Sequence, residues 1–396
     1  MNKKMNNIHE KLKTKKICNI CEKLNINGIN NIYGNLVKYV SVIIIATILV
    51  TLFVGCAVSV NEKEKNTEKQ TTANGSSSVN STTNDSSTIH KEENKSVKEN
   101  SENSSKSAQQ EVIYPITVKD TTGTEVTIEK KPVKIVSVAL VADEILPSLV
   151  DKSRIAALSY LSEDPGLSNV VEFAKGIPVK VGMQIENLIA LQPDLLLLSD
   201  FADPNAVSQL RDANIPVYVM KTPTSVEEAR SAVLEIANLV GEIQKGEEVV
   251  AWMDEKLKAV EEKVKNLSNE ERVRVLTIDA FLYTYGKGTS FDSIAQHAGV
   301  INLASEVGME FWQEINKEVI IELNPDVLLL PSWSFEGFDA EKYTEDFKND
   351  KSLAEVKAIK NNKVFNLPDN HMVTVSQYIV LGVEDLAKTA YPELFK

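Results

Sequence analysis

The side chains able to do chemistry in this sequence are few. Its three cysteines, Cys18, Cys21 and Cys56, all fall within the first 56 residues. The four histidines, His9, His90, His297 and His371, are scattered. Neither set builds a sequence-local zinc cluster, and beyond Cys56 the chain can hold no disulfide and no thiolate metal site. Cys18 and Cys21 have CxxC spacing without a strand–helix setting, so the pair reads as incidental. No G-x-S-x-G elbow and no Walker A loop occurs. Gly286-Lys287-Gly288-Thr289-Ser290-Phe291 starts like a dinucleotide fingerprint but lacks the third glycine, and reads as a turn before a helix. These patterns predict no catalytic residues, no resident cofactor and no metal site.

Two other patterns carry more. The stretch from Glu186, ENLIALQPDLLLLS, aligns without a gap with EVIIELNPDVLLLPS from Glu318, 132 residues later. Glu186 matches Glu318, and Pro193-Asp194 matches Pro325-Asp326. Each unit reads as a helix, a Pro stop and an apolar strand, with its Glu near the helix N-terminus. A carboxylate there complements the helix dipole, but that does not require the same register twice. The second pattern is aromatic. Tyr160, Phe201, Phe281, Tyr283, Tyr285, Trp333 and Phe335 all follow predicted strands. Aromatics in loops commonly cap a core. Here Ser332-Trp333-Ser334-Phe335 directly follows a buried strand end, where capping is least needed.

The elements that must position these residues repeat as well. Ile116–Ile128 alternates apolar and polar residues around Thr122-Gly123, a hairpin signal. Segments 134–139, 154–159, 195–198 and 215–220 read as strands, and 274–279 opens a second half as 134–139 opens the first. Runs apolar on every side mean strands covered on both faces, hence parallel sheets flanked by helices. The expected fold is α/β: two doubly wound parallel-sheet lobes, 112–245 and 269–396. Between them, Glu248–Leu267 has no Gly or Pro and an apolar period near 3.6. It reads as a stiff interlobe helix, domain 246–268, about 30 Å long. Ligands of open parallel sheets sit at the carboxyl ends of the strands. The candidate cleft therefore takes Leu140, Val141, Tyr160, Asp200, Phe201 and Lys221 from the first half. From the second it takes the aromatics at 281–335, with Asn370 and His371.

The first 111 residues read as an address and a tether. Residues 1–39 carry eight Lys and two Glu, and a 15-residue apolar run, Val40–Val54, follows. That is too short to span a bilayer and fits a signal-peptide core. Leu52-Phe53-Val54-Gly55-Cys56 resembles the lipobox of bacterial lipoproteins, with Phe53 where Leu is usual. The resemblance implies a signal peptide over 1–56 and lipid attachment at Cys56. The long basic stretch ahead of the run leaves open a translation start at Met5 or later. Residues 57–111 read as a disordered polar linker, since 24 of the 45 residues from Asn66 to Gln110 are Ser, Thr or Asn. The net charge of −13 argues against a nucleic-acid partner.

Two α/β lobes joined by one long helix, behind such a tether, resemble the substrate-binding proteins of ABC importers for iron–siderophore complexes, haem and cobalamin. The two Glu-x6-Pro-Asp units are the most specific marks, with Tyr285–Ala304 and Lys360–Asn370. The resemblance implies an extracytoplasmic, lipid-anchored monomer that captures a metal chelate and delivers it to a permease dimer with its ATPase. It implies that Glu186 and Glu318 meet Arg on the two permease subunits. Within the strand-end cleft, the expected ligand contacts are Tyr160, Phe201, Tyr283, Tyr285, Trp333, Phe335 and His371. The chain has five Arg in all, which counts against a highly anionic catecholate and leaves hydroxamates, corrinoids and haem. A membrane-tethered sensor and an enzyme acting on the chelate are the other readings. The chain ends just after its last predicted helix and offers no acid, base or nucleophile constellation, so transport is the expectation.

Overall fold

The computed structural model describes residues 112–396. The expected signal peptide, Cys56, the CxxC pair and the expected linker lie outside the described residues. An antiparallel hairpin comes first, β1 (Ile116–Lys119) and β2 (Glu125–Ile128), turned at Gly123 with φ +83°. Next come β3 (Ile135–Ser137), β4 (Ile155–Ser159), β5 (Lys180–Val181), β6 (Leu195–Ser199) and β7 (Val217–Met220). They form one parallel sheet in the order β5-β4-β3-β6-β7. The second half supplies β8 (Arg274–Thr277), β9 (Tyr283–Tyr285), β10 (Ile301–Asn302), β11 (Trp312–Glu314), β12 (Val327–Leu329) and β13 (Val364–Phe365). Four of these make a second parallel sheet, β10-β8-β12-β13, while β9 and β11 pair as a separate antiparallel ribbon. Leu195–Leu198 are fully buried, as an apolar run covered on both faces must be.

The repeated unit takes the same form in both sheets. Helix Ile185–Ala190 leads to Gln192 at φ +45°, and helix Lys317–Leu323 leads to Asn324 at φ +47°. Each left-handed residue ends its helix, and the Pro that follows blocks resumption. The Asp after each Pro then has a structural task. Asp194 accepts backbone N–H bonds from Val133 (2.9 Å) and Lys134 (2.8 Å), at the start of β3. Asp326 accepts one from Arg274 (3.2 Å), the first residue of β8. The Pro-Asp pair thus docks each repeat onto the neighbouring central strand.

The helix expected at Glu248–Leu267 runs instead from Ile243 to Val264. It starts early because Gly246 is tolerated within it. A Cβ on Gly246 would lie 2.4 Å from the Ala237 Cβ, so the glycine lets this helix close on helix Val226–Val240. Gly241, at φ +71°, makes the tight turn between the two. Nor is the helix a bare strut. Its buried face, Met253, Leu257, Val260 and Val264, belongs to one apolar core shared with helices Leu140–Leu149, Val226–Val240, Ser290–His297 and Ile379–Ala390. Elements from both halves contribute to that core, so the two sheets are joined by packed helices.

A buried polar cluster joins the halves beside it. Glu144, on helix Leu140–Leu149, is fully buried. Its carboxylate accepts bonds from Ser376 Oγ (2.6 Å), Thr374 Oγ1 (3.3 Å), Asn169 N (2.6 Å) and Asn169 Nδ2 (2.9 Å). Gln377 Nε2 donates to the Glu144 carbonyl at 2.8 Å. Asn169 and Asn370 bond each other across the same seam. Burial pushes the Glu144 carboxyl upward, and these donors pull it back.

Its neighbour Asp143 is also fully buried, and Ser159 donates to it through both Oγ and N. Burial raises the Asp143 carboxyl to about 7, against the ordinary 3.8. A carboxyl raised on folding adds stability that is complete below the ordinary value and lost as pH climbs through the folded one. Urea unfolding should therefore show stability falling between pH 3.8 and about 7, by on the order of 1–4 kcal/mol. Asp143→Asn should flatten that fall, and a variant with the wild-type slope would assign the fall to another group.

Candidate functional site

The loops at the carboxyl ends of β8, β12 and β13 meet the loop that follows β4. Between them lies a cavity of about 280 Å³. The second half supplies most of its wall: Thr277–Phe281 after β8, Leu330-Pro331 and Trp333 after β12, and Leu367 and Asp369 after β13. The first half contributes Asp164, Gly166 and Leu167. Met372 and Val373 also line the cavity, just ahead of the residues that hold Glu144.

Three of the expected ligand contacts come together here, Tyr285, Trp333 and Phe335, with Phe281 beside them. Phe281 and Phe335 lie 6.0 Å apart between ring centroids. Phe335 stacks on Phe338 at 5.1 Å, and the row continues through Tyr343 to the buried Phe347. The mouth is thus braced by aromatic contacts reaching into the core. Trp333 leans across the cleft. A Cβ on Gly166 would fall 2.3 Å from Trp333 Cδ1, so only glycine lets the indole rest there.

The other expected contacts lie elsewhere. Tyr160 and Phe201 sit exposed after β4 and β6, and Tyr283 is exposed in β9; none lines this cavity. His371 is bonded through Nδ1 to Asp385 Oδ2 at 2.7 Å. Asn370 is spent on the seam with Asn169. Val141 is buried in the core, Asp200 caps Thr222, and Lys221 pairs with Glu228. His297 bridges Glu227 (3.3 Å) and Glu261 (3.1 Å). Among the described residues no group of His, Cys, Asp and Glu is arranged to hold a metal ion.

Sequence reasoning missed the carboxylates. Asp164, Asp279 and Asp369 all line the cavity. The signals were present: Asp164-Pro165-Gly166 is a turn sequence, and Asp279 ends the run that opens the second half. Asp279 Oδ1 accepts the N–H groups of Phe281 and Tyr283, both at 2.8 Å. Asp369 Oδ2 accepts those of Ser332 (3.0 Å) and Trp333 (2.8 Å). Burial pushes the Asp369 carboxyl upward, and the charge of Asp279 adds to that push against the bonds from Trp333 and Ser332. Tyr285, 3.5 Å from Asp279 Oδ2, has its hydroxyl pushed up first by burial, then by Asp279 and Asp369.

Glu186 and Glu318 stand apart from all this. Each is exposed, and each is the second residue of its helix. Neither forms an ion pair among the described residues.

In Gly166→Ala the new methyl should push the Trp333 indole out of the cleft. Tryptophan emission should shift to the red and quench more readily, and neither change should occur in a Trp333→Phe background. An unaltered spectrum would mean that the indole does not rest on Gly166.

The comparisons agree with this architecture. Residues 135–371 match the periplasmic binding protein family. An uncharacterized ABC transporter substrate-binding lipoprotein of Bacillus subtilis is 29% identical over 301 residues, covering 74% of this chain and 90% of that protein. A cobalamin-binding protein of Halobacterium salinarum is 25% identical over 218 residues, 54% of this chain and 58% of its own length. The molybdate-bound structure of a molybdate-binding protein from Haemophilus influenzae superposes with a TM-score of 0.62 at 23% identity, covering 71% of this chain and 92% of that one. That likeness shows the fold, two α/β lobes. The family match spans more than half of the sequence, and the chain belongs to the periplasmic binding protein family.

Proposed function

We propose that this protein is the substrate-binding component of an ABC importer, that it captures a metal chelate, an iron–siderophore or corrinoid, and that it hands the chelate to its permease. A lipid on Cys56 holds it at the outer face of the membrane, and the polar segment 57–111 gives reach. The aromatic-walled cavity at the strand ends carries the reading, because rings and apolar walls suit a bulky chelate with much apolar surface. A cavity of about 280 Å³ is small for such a ligand, and Trp333, which rests on Gly166 across the cleft, is the side chain whose displacement would enlarge it.

Glu186 and Glu318 are the permease contacts in this reading. The Pro-Asp half of each repeat is accounted for by strand docking. The Glu half is left exposed, in one register, on each lobe. Paired charges of this kind give orientation more than affinity. Each would meet an Arg on one subunit of a two-fold permease.

Titration with cobalamin and with a ferric trihydroxamate, followed by tryptophan quenching, tests the binding half. Of the three tryptophans only Trp333 lines the cavity. At least one probe should bind, and Trp333→Ala should weaken it by about 1–3 kcal/mol with little loss of thermal stability. In cells, Glu186→Arg with Glu318→Arg should stop uptake while binding stays at wild type. Normal uptake by the doubly reversed protein would remove the docking role, and failure of every chelate to bind would remove the transport reading.

A further inference from the structure

The electrostatics of the cavity narrow its ligand. Three carboxylates line it, Asp164, Asp279 and Asp369, and among its lining residues there is no Lys, Arg or His. An anionic ligand needs bases or free N–H groups. Five of the loop N–H groups around the cavity are already taken. Those of Phe281 and Tyr283 bond Asp279, those of Ser332 and Trp333 bond Asp369, and that of Gly166 bonds Asp164 at 2.9 Å. At each loop a carboxylate accepts the N–H groups that an oxyanion would need. The walls between are aromatic, Phe281, Tyr285, Trp333 and Phe335, and the faces of such rings attract cations.

Resting on the chelate-binding reading, we infer that the site selects its ligand by charge, taking a chelate with a cationic group lodged between Asp279, Asp369 and the rings, and rejecting anionic chelates and oxyanions. A bare oxyanion such as the molybdate bound by the Haemophilus influenzae relative would meet three carboxylates and no cationic side chain. Burial raises the Asp369 carboxyl, the charge of Asp279 adds to that push, and a positive guest beside the pair would oppose both.

A charge series on fixed scaffolds tests this. One scaffold is a linear ferric trihydroxamate with a terminal amine, used free (cationic), acetylated (neutral) and succinylated (anionic). The other is cyanocobalamin, unmodified (neutral), with one side-chain amide hydrolysed (anionic), or with that carboxyl coupled to a diamine (cationic). On whichever scaffold binds, the cationic form should bind tighter than the anionic by about tenfold or more at low salt. Asp369→Asn and Asp279→Asn, which keep one acceptor oxygen each, should narrow that ratio to about threefold or less. Equal or tighter binding of the anionic form by the wild type overturns the charge rule and leaves chelate binding standing. So does a ratio that neither Asn variant changes. No binding by any of the six probes overturns the chelate reading, and the charge rule with it.

Discussion

Glu144 is a carboxyl group with no solvent, and the polar seam between the lobes is built around keeping it satisfied. Four hydrogen bonds reach its oxygens, two from the first lobe through Asn169 and two from the second through Thr374 and Ser376. An unpartnered charge in that position would cost several kcal/mol, so the seam opens only at that cost. The helices packed beside it share one apolar core drawn from both halves. Polar seam and apolar core act in the same direction, and the lobes are held as a nearly fixed pair.

That constraint places the site. The residues that reach Glu144 from the first lobe follow directly on Asp164–Leu167, one wall of the cavity. Those that reach it from the second follow directly on Asp369, Met372 and Val373, the opposite wall. The clamp therefore adjoins both walls of the cleft. With the lobes fixed, access falls to side chains at the mouth, and Trp333 resting on Gly166 is the one that crosses it.

The fold was legible because its signals are local. Four leucines in a row at 195–198 leave few alternatives to a strand covered on both faces. The recurring Glu-x6-Pro-Asp unit announced two lobes of one design. The long helix was harder. Gly246 looks like a boundary in sequence and proves to be a contact with Ala237, so the helix begins at Ile243. The site was half legible. Tyr285, Trp333 and Phe335 follow strand ends and meet in the cavity, whereas Tyr160 and Phe201 also follow strand ends and face water. Position after a strand does not say which way a ring turns. Glu144 gave no sign of its role, because two of its partners, Thr374 and Ser376, lie more than two hundred residues away.

The Glu144 seam, the shared apolar core and Trp333 resting on Gly166 point toward one kind of motion, a small movement at the mouth between clamped lobes. The distance between the lobes reports on it directly. Spin labels at Glu186→Cys and Glu318→Cys, one exposed site per lobe, in a background with Cys18, Cys21 and Cys56 replaced by Ser, would measure it with and without the tightest-binding chelate. A clamped pair of lobes predicts a change within about 2 Å, the scale of small shifts between packed helices. A closure of about 10 Å, as in hinge-bending domains, would contradict it and show that the Glu144 seam opens.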